Sequence, residues 1–389
     1  MPDRKVDQTP EPAIVAVVRC DSYDLDTVRE AVARGFALLG GIERFVSPGE
    51  RILLKPNLLT GQPPERAVTT HPSVFRATAE SLQKAGAELS YGDSPGFGRP
   101  TTAARKSGLS EVAEALSIPA ADLSTGTLVS FPNGDLIKQF TIARGAHTAN
   151  GIVSLPKMKT HGLMRITGAI KNQFGCIPGV LKAEFHARLP NADLFSRMLV
   201  DLNRLLQPRL FIMDGIVAME GNGPQNGRPR PMNVLLFSTD PVALDATFCR
   251  LVGLNPTLVP TIAHGESTGL GSAAHIEWIG DPLEPLIAAD FAVNRERRST
   301  SAQPDRLSRI ARRLIVPRPT VEKERCTRCG TCVSICPVTP KAITFASEDR
   351  SRPPVHNYAR CIRCYCCQEM CPEGAIDITV PPLGRLIHR

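Results

Sequence analysis

The sequence predicts an α/β body on a mostly parallel sheet, followed by a small α+β domain of different chemistry. Three observations carry this. Apolar runs alternate with amphipathic stretches across residues 13–292. Nine of the twelve cysteines crowd into 326–371. A strongly basic segment separates the two regions. The expected layout is a polar tail at 1–12, a ligand-binding body at 13–292, a basic linker at 293–320, a small domain at 321–380 and a tail at 381–389. With 42% hydrophobic and 22% charged residues, the chain has the makeup of a folded protein.

Within the body, the runs at 13–18, 52–54, 151–155 and 209–213 suit buried strands. Helical periodicity appears at 24–39, 72–85, 192–206 and 240–252. Asp240 followed by Pro241 is a helix start signal: a capping carboxylate, then a residue that needs no N–H in the first turn. The Asn-Gly of FPNGDL (131–136) marks a hairpin turn, so some antiparallel pairing is expected.

The linker 293–320 carries eight Arg against Glu296 and Asp305, a net +6 out of +8 for the chain. Leu307, Ile310, Ala311 and Leu314 fall on one helical face, with Arg306, Arg309, Arg312 and Arg313 largely opposite. That short basic helix either packs on a domain or docks to an acidic redox partner or a membrane surface. The remainder of the chain is near neutral, so nucleic acid is not an expected partner. No run of 18 apolar residues predicts a transmembrane segment, and the polar N-terminus lacks a secretory h-region. The expected location is cytoplasmic.

The cysteines form a repeat. Cys326-x2-Cys329-x2-Cys332-x3-Cys336-Pro337 recurs as Cys361-x2-Cys364-x2-Cys367-x3-Cys371-Pro372. In such a run three thiolates wrap one cubane, and the fourth, after a longer step, reaches the other cluster. Cluster one is therefore expected on Cys326, Cys329, Cys332 and Cys371, and cluster two on Cys361, Cys364, Cys367 and Cys336. A zinc ribbon would need only two CxxC pairs. The runs AITF (342–345) and AIDI (375–378) follow the two copies as short strands. Over about 60 residues the pattern resembles the bacterial two-[4Fe–4S] ferredoxins, which implies a ferredoxin-like domain with both clusters in electron-transfer contact. Cys366, beside Cys367, is a bystander thiol in this scheme, and Tyr365 replaces Gly330 where it would shield the second cluster.

In the body, Lys55 and Asn57 follow ILL, Asp93 follows AELSYG, Lys157, Lys159 and His161 follow GIVSLP, and Asp214 follows RLFIM. Open α/β sheets bind ligands at such strand ends. Lys55, Lys157, Lys159 and Lys171 with His161 and Asn172 suit an anion: a carboxylate, a phosphate or a nucleotide. The loop GDSPGFG (92–98) offers backbone N–H groups to an anion, and EGNGP (220–224) offers room for a ligand contact. His71, His161 and His186 with Asp93 or Asp214 have the residue types of a metal site but no ligand spacing to support it.

The motifs KPNL (55–58), TTHP (69–72), GDSPG (92–96), LPKMKTH (155–161), TGAIKNQFG (167–175), His186, DGIVAMEGNGP (214–224) and STDPVALDA (238–246) are similar to those of the domain of unknown function 362 family, over nearly all of 13–290. CIRCYCCQEMCP (361–372) resembles the ferredoxin copy that many members carry. The resemblance implies an iron–sulfur protein with an α/β ligand-binding body and supplies no reaction.

The expected function is an iron–sulfur oxidoreductase with two [4Fe–4S] clusters relaying electrons between a soluble redox partner and a small anionic ligand. His161, Lys157 and Lys159 are the candidate catalytic residues, because reduction of an organic ligand needs protons. Lys55, Asn57, Asp93, Lys171 and Asn172 are the candidate binding residues. The alternatives are a non-catalytic electron carrier and a metallocofactor assembly or maturation factor.

Overall fold

The computed structural model describes residues 11–96, 98–189, 191–296 and 317–381. The strands of the body are β1 (Ala13–Arg19), β2 (Arg51–Pro56), β3 (Glu88–Tyr91), β4 (Gly126–Ser130), β5 (Gln139–Ala143), β6 (Gly151–Leu155), β7 (Lys157–His161), β8 (Arg165–Thr167), β9 (Leu210–Glu220), β10 (Arg228–Ser238) and β11 (Ile276–Gly280). Among the described residues, nine of them form one sheet in the order β11-β1-β10-β9-β6-β2-β3, with β7 joining β9 and β8 joining β7. The pairs β1–β11, β2–β3, β2–β6, β6–β9 and β7–β9 are parallel. β10 runs antiparallel to both β1 and β9. β4 and β5 form the separate hairpin expected around Asn133-Gly134.

Both faces of the sheet are covered, which is why its strands read as continuous apolar runs. Along β1, Val15 and Val17 enter one core, and Ala16 and Val18 enter the other. The helices begin where the sequence signals them. Asp24 caps Leu25–Leu38, and Asn191 caps Ala192–Leu206. Asp240 accepts from Val242 and Ala243 N–H at the head of Pro241–Leu251.

In the small domain, β12 (Arg318–Val321) pairs with β15 (Ile376–Thr379), and β13 (Ile343–Thr344) pairs with β14 (Val355–His356). Two boundaries differ from the sequence reading. β12 begins inside the segment taken as linker, because Arg318–Val321 finds a partner strand 55 or more residues away. Residues 293–296 belong to the body: the Arg295 guanidinium donates to the Gly253, Val252, Ala289 and Phe291 carbonyls. The basic helix expected over Leu307–Leu314 lies outside the described residues.

Candidate functional site

The lysines of the body are held in buried polar chains. Lys55, at the end of β2, donates to Asp93 Oδ1 at 2.9 Å and to Asn172 Oδ1 at 3.2 Å. Asp93 Oδ2 accepts the Leu58 N–H at 2.8 Å. Gly175 is required beside this pair, since a Cβ there would lie 1.6 Å from Asp93 Oδ1. Asn57 donates to Asn172 Oδ1 and accepts from Lys159 Nζ at 2.7 Å. Lys157 Nζ contacts Asp214 Oδ2 at 2.8 Å and the Tyr23 hydroxyl at 2.7 Å, and Tyr23 in turn donates to Asp214 Oδ1. Burial pulls the ammonium pKa down at Lys157, where Asp214 opposes it, and far down at Lys159.

Two strand assignments change as a result. Lys157–His161 forms β7, a strand the sequence reading did not assign, and β9 continues through Asp214 to Glu220. A Lys-x-Lys-x-His strand can be buried only because each ammonium has a partner in the protein. His71, His161 and His186 do not converge: among the described residues no three His, Cys, Asp or Glu side chains are arranged to hold a single metal ion.

The open part of the site lies where the small domain meets the body, in a cleft of about 680 Å³. Asn57, Asp93, Lys171 and Asn172 line it from the body. Cys366, Glu369 and Met370 line it from the second cysteine run. Lys55, Lys157, Lys159 and His161 sit behind the wall. Lys171 Nζ has no hydrogen-bond partner among the described residues. Burial pulls its pKa down, while Glu369, Cys366 and Asp93 oppose the shift.

Lys182 and His186 also line the cleft, and sequence reasoning left them out of the binding set. Their signal was the i, i+4 spacing on the helix Gly179–Arg188. Lys182 Nζ lies 5.6 Å from the Phe174 ring centroid and donates to the Ser94 carbonyl. Burial pulls its pKa to about 8. His186 stacks on Phe195 with ring centroids 4.5 Å apart, and its Nδ1 is buried without a partner. In the GDSPGFG loop, the Ser94 and Gly96 N–H groups donate to the Gly175 and Leu59 carbonyls and so face away from any cradle.

His161 bridges the two parts. Its Nδ1 accepts the Leu163 and Met164 N–H groups, so the ring proton sits on Nε2. Nε2 lies 2.9 Å from Glu369 Oε1, a close contact not aligned as a hydrogen bond. Burial holds the His161 pKa down near 4. The EGNGP loop is a docking loop: Asn222 donates to Asp377 Oδ1 at 2.9 Å and accepts from Gln368 Nε2 at 2.5 Å.

Two further cavities lie in the small domain. One of about 330 Å³ is lined by Cys326, Cys329, Cys332 and Cys371. The other, of about 310 Å³, is lined by Cys336, Cys361, Cys364 and Cys367, with Tyr365 on its wall and Cys366 off it. Each cavity thus joins the first three cysteines of one run to the fourth of the other. Four thiols around a void suit a cubane, and the thiols that cross over accept N–H groups as cluster thiolates do. Ala342 N–H reaches Cys336 Sγ at 3.4 Å, and Ala375 N–H reaches Cys371 Sγ at 3.2 Å.

The comparisons agree with this architecture. A 4Fe-4S dicluster domain model matches residues 318–375, and the model described as domain of unknown function (DUF362) matches residues 52–250. Thylakoid-associated protein sll1697 of Synechocystis sp. is 36% identical over 299 residues, covering 74% of this chain and 92% of that protein. The lactate racemase apoprotein of Thermoanaerobacterium thermosaccharolyticum is similar in structure at 12% identity and a TM-score of 0.42, covering 64% of this chain and 58% of that one. A Thermotoga maritima protein aligns with a TM-score of 0.35 at 12% identity, covering 68% of this chain and 63% of its own. The chain spans less than two thirds of either solved structure. Among the described residues no helix is long and apolar enough to cross a membrane. With its body matched by that family model and a 4Fe–4S domain appended, the chain belongs to the domain of unknown function 362 family.

Proposed function

We propose that the chain is an iron–sulfur oxidoreductase that holds two [4Fe–4S] clusters and passes electrons to a small anionic substrate or cofactor in the cleft. One observation carries this reading: Cys366 lines the cleft, and its neighbour Cys367 lines the second thiol-rich cavity. A ligand in the cleft therefore lies against the cysteine run that would hold the second cluster. The proposed ligands are Cys326, Cys329, Cys332 and Cys371 for the first cluster, and Cys361, Cys364, Cys367 and Cys336 for the second. When bound, such clusters supply one-electron transfers at potentials set by charge, hydrogen bonds and solvent.

Exposure supports a direction. Cys329 of the first set is exposed, whereas Cys336, Cys364 and Cys367 of the second are buried. A soluble redox partner docks at the first site, and the cleft lies at the second. Lys171, with Asn57 and Asn172, holds the anion. Lys55 and Asp93 fix the wall. Lys182, whose pKa burial has drawn to about 8, is suited to deliver a proton near neutral pH. Lys157, Lys159 and His161 are positioning residues, since Lys159 orients Asn57 and His161 stands behind Glu369. A cytoplasmic location is supported by twelve cysteines that form no disulfide.

The test uses anaerobically reconstituted full-length protein, reduced with dithionite and followed by EPR. A small-molecule filtrate of anaerobic cell extract should reoxidise the clusters, and Lys171→Met should abolish that reaction. Reoxidation indifferent to Lys171 would overturn the assignment of the cleft. Reoxidation by a protein fraction alone would favour an electron carrier.

A further inference from the structure

The cleft has a chemical signature that narrows its occupant. Neither Lys171 nor Lys182 lies within ion-pair distance of a carboxylate among the described residues, whereas Asp93 is paired with Lys55, and Glu369 contacts His161. A phosphate needs a cradle of donors for three oxygens. Here the loop N–H groups of Ser94 and Gly96 are spent on carbonyls, and no arginine lines the wall. Leu59, Phe174, Ile335 and Met370 give the cleft an apolar side, beside the polar Asn57, Asp93, Ser94, Asn172 and Glu369. A buried His186 Nδ1 lacks a partner, and leaving such an atom unpaired is costly unless a ligand completes it.

We infer that the cleft takes a small organic monocarboxylate with an apolar body, its carboxylate held by Lys171 and Lys182 and its body against Phe174, Ile335 and Met370. His186 is the hydrogen-bonding group beside it. This rests on the reading of the cleft as the ligand site and adds the class of ligand. Lys171 and Lys182 can each donate to one carboxylate oxygen, without the donor cage that a phosphate ester demands.

The probes are propionate, butyrate, hexanoate and inorganic phosphate, titrated calorimetrically into the anaerobic holoprotein. Affinity should rise from propionate to hexanoate as apolar wall is covered. Lys171→Met and Lys182→Met should each weaken hexanoate by about tenfold or more. Visible cluster absorption and the melting temperature should be retained. Leu59→Trp, which fills the apolar end from the body side, should reverse the chain-length order. The inference is overturned if no carboxylate binds, or if phosphate binds more tightly than any of them in a Lys171-dependent way. The same samples separate the two readings. Lys171-dependent cluster reoxidation by the filtrate without monocarboxylate binding removes this inference alone. Monocarboxylate binding without Lys171-dependent reoxidation removes the electron-relay reading alone.

Discussion

His161 Nε2, on β7 of the body, lies 2.9 Å from Oε1 of Glu369, two residues after the cluster-run cysteine Cys367. Both side chains are buried. The contact ties the strand that carries Lys157 and Lys159 to the turn between Cys367 and Cys371. Glu369→Ala should therefore loosen the docking of the small domain while leaving the thiols in place. The expected cost is about 2 kcal/mol, typical of losing a contact to a buried charged group. Urea denaturation should show the loss with visible cluster absorption unchanged before the transition.

The buried histidines set an acid limit. Burial holds His71, His161, His186 and His356 near pKa 4. The unfolded chain binds these protons near pH 6.5, whereas the native state refuses them until about pH 4. Their contribution is thus present above pH 6.5 and lost as the pH falls towards 4, on the order of 3 kcal/mol for each ring. Glu50 and Glu80 are held near pKa 2 by hydrogen bonds from Arg209 and Arg29, so their loss begins only below the ordinary glutamate range. The upper part of the acid limb should belong to the histidines. His186→Phe keeps the stack on Phe195 and should remove about a quarter of the fall in stability between pH 6.5 and 4.5, read from denaturation curves at a series of pH values.

Much of this was legible in the sequence, and the rest was hidden for physical reasons. β1, β2 and β6 declare themselves because strands covered on both faces are apolar throughout. The helix at Pro241 is announced by Asp240, whose carboxylate has one local task. β7 was hidden because Lys157, Lys159 and His161 look like a solvated loop until Asp214, Asn57 and Glu369 are brought up to them. Lys182 and His186 were hidden because the wall they complete is half built by Met370 and Cys366, residues almost 200 positions away whose docking no local pattern encodes. The 4Fe–4S character of the small domain was legible because the cysteine run repeats with one spacing.

Lys157 and Lys171 separate structure from binding. Lys157 is buried against Asp214, and removing it leaves that carboxylate in the core with only the Tyr23 hydroxyl and the His71 N–H. Lys157→Met should cost about 3–5 kcal/mol, and Asp214→Leu in the same chain should recover much of it. Lys171 has no such partner. Lys171→Met should leave the urea midpoint unchanged or raise it, since it relieves a desolvated ammonium, while it removes anion binding. Paired denaturation and calorimetry on the three variants distinguish the roles. Equal destabilisation by Lys157→Met and Lys171→Met would sink the distinction.

The crossing of the cysteine runs makes its own demand on iron content. Cys371 lines the cavity formed mainly by the first run, and Cys336 lines the one formed mainly by the second. If each void holds a cubane, the reconstituted chain carries about eight irons, with one ligand of each cluster lent by the other run. Cys371→Ala should then weaken the cluster bounded by Cys326, Cys329 and Cys332, although it alters the other motif, and Cys336→Ala should do the reverse. Each variant should fall towards about four irons per chain after anaerobic reconstitution, because three thiolates hold a cubane less tightly than four. The two should retain different EPR signals on reduction, since a different cluster survives in each. Cys366→Ala, outside both sets, should keep the full complement. Stoichiometric zinc in place of iron, or loss of the same EPR signal in both crossing variants, would contradict the crossed assignment.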